Sequence, residues 1–187
     1  MVKISTNELK AGYKLELNGE PYLLISTEYV NPGKGQAFCR TKLKHLKTGR
    51  VVEKTFKSGE KLDLADVVEA KMRLLYTDAH DGVFMDDTSF EQIHVPLTTM
   101  GNRQFWLMEE CIYTLIFYKG EVIEVVSPTF MDMKITETAP GIRGDTSGRV
   151  LKSAITESGA KIQVPIFIEE GDRVKVDTRT GEYVSRV

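Results

Sequence analysis

The sequence predicts an all-β protein. Turn-forming pairs recur along it, at Asn18-Gly19, Thr48-Gly49, Ser58-Gly59, Asp81-Gly82, Lys119-Gly120, Ser158-Gly159 and Thr180-Gly181. Between them lie short runs rich in Val, Ile, Leu, Thr, Tyr and Phe, the pattern of strands joined by hairpins. Charge then divides the 187 residues into three pieces. Residues 1–64 carry 12 Lys+Arg against 7 Asp+Glu, residues 65–127 carry 4 against 11, and residues 128–187 carry 9 against 9. The formal charge of −2 is therefore a cancellation of +5, −7 and 0. Each piece, about sixty residues long, suits a small barrel of five or six strands. Domains of that size are marginal alone, so neighbours are expected to pack on one another.

The bulk composition excludes several classes. Hydrophobic residues at 41% and charged residues at 28% are ordinary values and give no signature of disorder. The longest apolar stretch, residues 111–118, is less than half of the ~20 residues a transmembrane helix needs. Residues 1–17 interleave Lys3, Glu8, Lys10, Lys14 and Glu16 with single apolar side chains, so no apolar core of a signal peptide is present. A cytoplasmic location with no membrane partner is expected. Cys39 and Cys111 stand far apart without a C-x-x-C pair, which predicts free, buried or half-buried thiols rather than a disulfide or a metal site. His45, His80 and His94 are scattered, and no nucleophile, base and orienting group combine. Neither an enzyme nor a catalytic residue is predicted.

Two helical segments are expected. Thr88-Ser89-Phe90-Glu91 has the spacing of a capping box and predicts a short helix over residues 88–94, stopped by Pro96. Residues 103–110 could form a second helical turn.

Positive charge concentrates in one hairpin region. Residues 34–61 hold nine basic side chains and two acidic ones. Arg40, Lys42 and Lys44 alternate, and alternate residues of a strand share a face, so three cations should project together while Cys39, Thr41 and Leu43 turn the other way. With Lys54 they suit a phosphate backbone, although an edge strand protected by lysines has the same pattern. The preceding loop contains Pro32-Gly33-Lys34-Gly35. Proline fixes one dihedral, the glycines permit positive φ, and the lysine stands free of neighbouring Cβ atoms on a narrow projection. The spacing of a Walker phosphate loop is missing.

Residues 32–38, with Thr48-Gly49 and the run Val52 to Ser58, resemble the bacterial elongation factor P family. Near the C-terminus, Lys152-Ser153-Ala154, Gly159, Ile162, Val164-Pro165, Ile168 and Gly171 resemble that family's signature, and residues 176–186 resemble its terminus. The resemblance spans essentially the whole chain. It implies an SH3-like (KOW-like) domain over residues 1–64, a central OB domain over 65–127 and a C-terminal OB domain over 128–187, in an L shape comparable to tRNA.

The resemblance also implies a function. A member of this family binds the 70S ribosome between the peptidyl and exit sites, contacts ribosomal RNA, stabilises peptidyl-tRNA and stimulates peptide-bond formation at consecutive prolines. Pro32, Gly33, Lys34 and Gly35 would form the tip that enters the ribosome. Lys34 would carry a covalent β-lysine added by an enzyme resembling a lysyl-tRNA synthetase, with no other cofactor. Gly144, Asp145 and Thr146 would approach the small subunit, Tyr183 and Arg186 the tRNA stem, and the acidic middle the ribosomal stalk protein. The alternative is a generic RNA-binding β-barrel protein, which would be indifferent to neutralising Lys34.

Overall fold

The computed structural model describes residues 2–140 and 150–187; the predicted contacts Gly144, Asp145 and Thr146 lie outside the described residues. The chain is all-β, as the turn spacing predicts. Its first sheet contains β1 (Lys3–Ser5), β2 (Lys14–Leu17), β3 (Glu20–Val30), β4 (Phe38–His45), β5 (Val51–Lys57) and β6 (Lys61–Leu64), in the order β1-β6-β2-β3-β4-β5. The second contains β7 (Val67–Thr77), β8 (Asp81–Met85), β9 (Gln92–Pro96), β10 (Ile112–Tyr118) and β11 (Glu121–Val126), in the order β11-β10-β7-β8-β9. The last five strands close into a barrel: β12 (Phe130–Thr138), β13 (Leu151–Thr156), β14 (Lys161–Pro165), β15 (Arg173–Asp177) and β16 (Glu182–Arg186).

Turn chemistry sets the hairpins. Asn18-Gly19 (φ 54° and 79°) and Lys119-Gly120 (φ 51° and 85°) both place two left-handed residues between strands. That geometry matches the natural twist of a tight hairpin, and it is why asparagine and glycine occupy the first of these turns. Side-chain alternation then fixes register. In β12, Met131, Met133 and Ile135 are buried while Asp132 and Lys134 face out, so a one-residue slip would expose the whole apolar set.

The strands group into two compact units, Met1–Ala70 with Leu115–Glu124, and Lys71–Thr114 with Val125–Val187. The first has a core of Leu9, Leu15, Leu24, Leu43, Phe56 and Leu62. A second cluster, Leu46, Tyr118 and Ile123, packs the β10–β11 hairpin onto the first sheet. Full burial of each such side chain is worth about 1.5–3 kcal/mol. The second unit centres on Ile135, Ala154, Ile162, Val164, Ile168, Val174 and Val176, with Trp106 packed against them. Cys39 is buried and Cys111 half-buried, both as free thiols. Among the described residues, no helix is long and apolar enough to cross a membrane.

Three sequence expectations need correction. Residues 88–94 form no helix: Thr88 lies in the turn joining β8 to β9, and Gln92 onward is strand. The side chain of Asp86, not Thr88, caps this turn, accepting from the amides of Thr88 and Ser89 at 2.8 Å each. Helical backbone comes later, as Leu97–Met100 and a 3-10 segment Gly101–Trp106, so it overlaps only the start of the predicted turn at 103–110. Pro96 precedes that helix rather than ending one. Asp81-Gly82 is likewise no turn but the start of β8. A Cβ at Gly82 would stand 3.0 Å from the Phe84 ring, so this glycine permits close packing.

Candidate functional site

The long β3–β4 hairpin carries the lysine loop. Its residues pair from Tyr22↔His45 to Val30↔Phe38, with a bulge between Leu24 and Ser26. The extra residue, Ile25, is left partly exposed. At the tip, Gly33, Lys34 and Gly35 form a bend and all three are exposed. Gly35 has φ 113°, a conformation that side chains with a Cβ rarely adopt, while Gly33 stays outside the left-handed region. Only one of the two glycines uses the freedom the sequence offers. Pro32 is half-buried and lies beside Gly35, whose Cβ position would be 3.8 Å from the proline ring. Among the described residues, no hydrogen bond or ion pair holds Lys34, so its ammonium points into solvent.

The root of the loop is braced by residues outside the predicted site. Ser5 caps a 3-10 turn at Thr6–Glu8, its hydroxyl accepting from the Asn7 amide while Glu8 accepts from the Ser5 amide. Ser5-Thr6-Asn7-Glu8 carries the capping-box spacing, so the signal was present. This turn presents Asn7 Oδ1 to the Ser58 hydroxyl at 2.9 Å and to the Gly59 amide at 3.2 Å. Ser58 lies 3.2 Å from the Tyr29 hydroxyl, and its amide donates to the Ala37 carbonyl at 3.0 Å. Tyr29 and Ala37 lie on the two sides of the loop. Beneath them, Cys39 Sγ donates to the Thr6 carbonyl at 3.2 Å.

The cations divide between two faces. Along β4 the burial alternates as predicted: Cys39, Thr41 and Leu43 are buried, Arg40 and Lys42 are exposed, and Lys44 is half-buried. Arg40, Lys42 and Lys44 share the outer face. Lys54 does not join them. It pairs with Thr41 across the ladder and lies on that residue's side of the sheet, its ammonium 5.3 Å from the Phe56 ring centre. Carboxylates also interrupt the stripe: Glu28 is 3.5 Å from Arg40, and Glu53 pairs with Lys42 across β4 and β5. Exposed pairs of this kind contribute little to stability, so Arg40 remains available to a stronger anion.

In the second unit, Tyr183 is half-buried against the barrel core and lines a groove of about 1030 Å³ with Ser153, Gln163 and Gly181. Arg186 donates to Asp172 at 2.8 Å and is more than half exposed. Thus Lys34, Arg40, Lys42 and Lys44 share one hairpin, whereas Tyr183 and Arg186 sit on β16 of the other unit. No cluster of three or more His, Cys, Asp or Glu side chains suited to a metal ion occurs among the described residues.

Comparison with known proteins gives a family for the chain. Residues 5–62 match the elongation factor P KOW-like domain, residues 67–125 its OB domain, and residues 131–186 its C-terminal domain. The chain is 60% identical over 188 aligned positions to elongation factor P 2 of Protochlamydia amoebophila, covering 100% of this chain and 99% of that one. It is 57% identical to elongation factor P 2 of Chlamydia pneumoniae, with the same coverage. Among solved structures, translation initiation factor 5A from Methanococcus jannaschii superposes with a TM-score of 0.53 at 18% identity, over 67% of this chain and 97% of that one. A factor 5A family protein from Naegleria fowleri gives 0.56 at 14% identity, over 67% and 96%. At those identities the likeness is one of fold.

A KOW-like barrel with a lysine-tipped hairpin, followed by OB barrels, defines a translation factor rather than an enzyme. The chain belongs to the elongation factor P family.

Proposed function

We propose that this elongation factor acts in the cytoplasm, binds the 70S ribosome between the peptidyl and exit sites and stimulates peptide-bond formation at consecutive prolines. One observation carries the reading: Lys34 stands unpaired and exposed on a glycine-bounded tip whose root is fixed by Asn7, Ser58 and Tyr29. A narrow, positively charged projection on a braced stem suits insertion into a crevice lined with RNA.

The chemistry is one of alignment. A proline at the end of a nascent chain constrains the peptidyl-tRNA, and peptide transfer slows because the reacting atoms are misplaced. Lys34, extended by a β-lysyl group from an enzyme resembling a lysyl-tRNA synthetase, would reach the CCA end. There its donors engage phosphate and ribose oxygens and restrict motion, lowering the entropic part of the barrier. Ribosomal RNA remains the catalyst. Arg40, Lys42 and Lys44 follow the phosphate backbone from the outer face of the hairpin, and Lys54 does so from the other side. Tyr183 and Arg186 meet the tRNA stem, Gly144, Asp145 and Thr146 the small subunit, and the acidic central region the ribosomal stalk protein.

Mass analysis of the peptide containing Lys34, from protein made in its own host, tests the modification. An added β-lysine mass is expected. An unmodified peptide in protein that still relieves proline stalls would reject it.

A further inference from the structure

Tyr29, the last residue but one of β3, offers a ring that the core does not take up: it is 53% exposed beside the lysine loop. Cations account for the hairpin's attraction to phosphate, but they leave this ring without a role. It is held in place. Ser58 gives its proton to Asn7 Oδ1 at 2.9 Å, so the Tyr29 hydroxyl donates to Ser58 across 3.2 Å. The strand fixes one end of the side chain and the turn after β5 fixes the other. A ring already in position spares much of the rotamer entropy that binding otherwise costs.

Cross-strand pairing shows what surrounds the ring. Tyr29, Cys39 and Phe56 form one row on this face, and Thr27, Thr41 and Lys54 form the next. Lys54 is exposed, with its ammonium 5.3 Å from the centre of the Phe56 ring. Among the described residues, these two rows hold no carboxylate, whereas Glu28 and Glu53 stand on the opposite face beside Arg40 and Lys42. The outer face is mixed in sign, and the face of Tyr29 combines an aromatic ring with an uncontested cation.

We infer that Tyr29 is a stacking platform for an unpaired base in the 3′ end of peptidyl-tRNA, with Lys54 facing the adjoining phosphate. An aromatic ring beside a cation is how proteins hold single-stranded nucleic acid without reading its sequence, since every base has a π-face. Base-paired RNA keeps those faces inside its stack, so the ring selects a single strand. The inference rests on the reading that Lys34 reaches the CCA end: a strand whose terminus lies at Lys34 runs back along the hairpin towards Tyr29.

The test measures affinity of the full chain for 70S ribosomes, either vacant or carrying peptidyl-tRNA stalled at consecutive prolines. Tyr29→Leu keeps apolar bulk without a π-face and should bind the loaded ribosomes about tenfold more weakly than wild type. Tyr29→Phe keeps the ring and loses only the Ser58 bond, so its affinity should fall by about twofold at most. On vacant ribosomes both variants should match wild type, and the Tm of each should stay close to the wild-type value because the side chain is exposed. Undiminished affinity of Tyr29→Leu for loaded ribosomes would overturn the inference and leave the ribosomal reading intact. An equal loss on vacant ribosomes would assign the effect to ribosomal RNA or to loop structure, and an equal loss in Tyr29→Phe would assign it to the hydroxyl; either result overturns the stack. Failure of the wild-type chain to bind any ribosome would reject the ribosomal reading first, and this contact with it.

Discussion

Ser58 donates its hydroxyl proton to Asn7 Oδ1 across 2.9 Å, joining the turn after β5 to the 3-10 turn after β1 beneath the lysine loop. Asn7→Ala removes the acceptor for this hydroxyl and for the Gly59 amide. A loss of about 1 kcal/mol is expected, with faster hydrogen exchange at Ala37 and Phe38. Native exchange rates there would show that the brace does not order the loop.

The two tip glycines should differ. Gly35→Ala forces a Cβ onto a residue with φ 113° and should reshape the tip, reducing stall relief well below wild type. Gly33→Ala has open space and no left-handed backbone to strain, so it should behave nearly as wild type. Equal loss in both variants, measured on a proline-run reporter, would mean that the ribosome rejects any added methyl and backbone shape is secondary.

Much of this was readable in the sequence because it depends on local periodicity. Alternation alone placed Cys39, Thr41 and Leu43 inside and Arg40, Lys42 and Lys44 outside. Charge counting groups Lys54 with the other cations because it ignores cross-strand pairing, and the pairing with Thr41 puts Lys54 on the other face. Thr88 to Glu91 has helix-start spacing, yet Asp86 two residues earlier captures the same amides for a hairpin turn. Asp81-Gly82 has the pattern of a turn because glycine serves both turns and tight packing, and only the position of the Phe84 ring distinguishes the two. The Asn7–Ser58–Tyr29 brace joins segments distant in sequence, which no local pattern specifies.

Acid should weaken the first unit through Glu16. Its carboxylate accepts from the Tyr118 hydroxyl at 2.8 Å and from Lys119 at 3.1 Å, and these bonds, the Tyr118 bond foremost, hold its pKa below the ordinary glutamate value. A depressed folded-state pKa gives stability that is present above the unfolded value and lost as pH falls through the folded one. Thermal unfolding of wild type and Glu16→Gln should therefore differ most near neutral pH and converge as the solution is made more acid than the ordinary glutamate range. A difference independent of pH would assign the effect to packing.

Tyr113 is fully buried in the second unit, where its hydroxyl accepts from the Met108 amide at 2.7 Å and donates to the Trp106 carbonyl at 2.9 Å. Burial pushes its pKa well up, so the phenol stays protonated through the range in which the protein is studied. Tyr113→Phe keeps the ring and leaves both backbone groups without this partner. A loss of about 1–3 kcal/mol is expected, lowering Tm by roughly 2–4 °C for each kcal/mol. A Tm within one degree of wild type would mean that water replaces the hydroxyl.

The central claim is that Lys34 acts at the site of peptide transfer. Reconstituted translation of a message encoding consecutive prolines, supplied with wild-type factor or Lys34→Ala, measures this most directly. Wild type purified from its own host should restore full-length product, while Lys34→Ala should leave ribosomes stalled at the proline run despite an unchanged Tm. Full-length synthesis with Lys34→Ala at the wild-type rate would contradict the account.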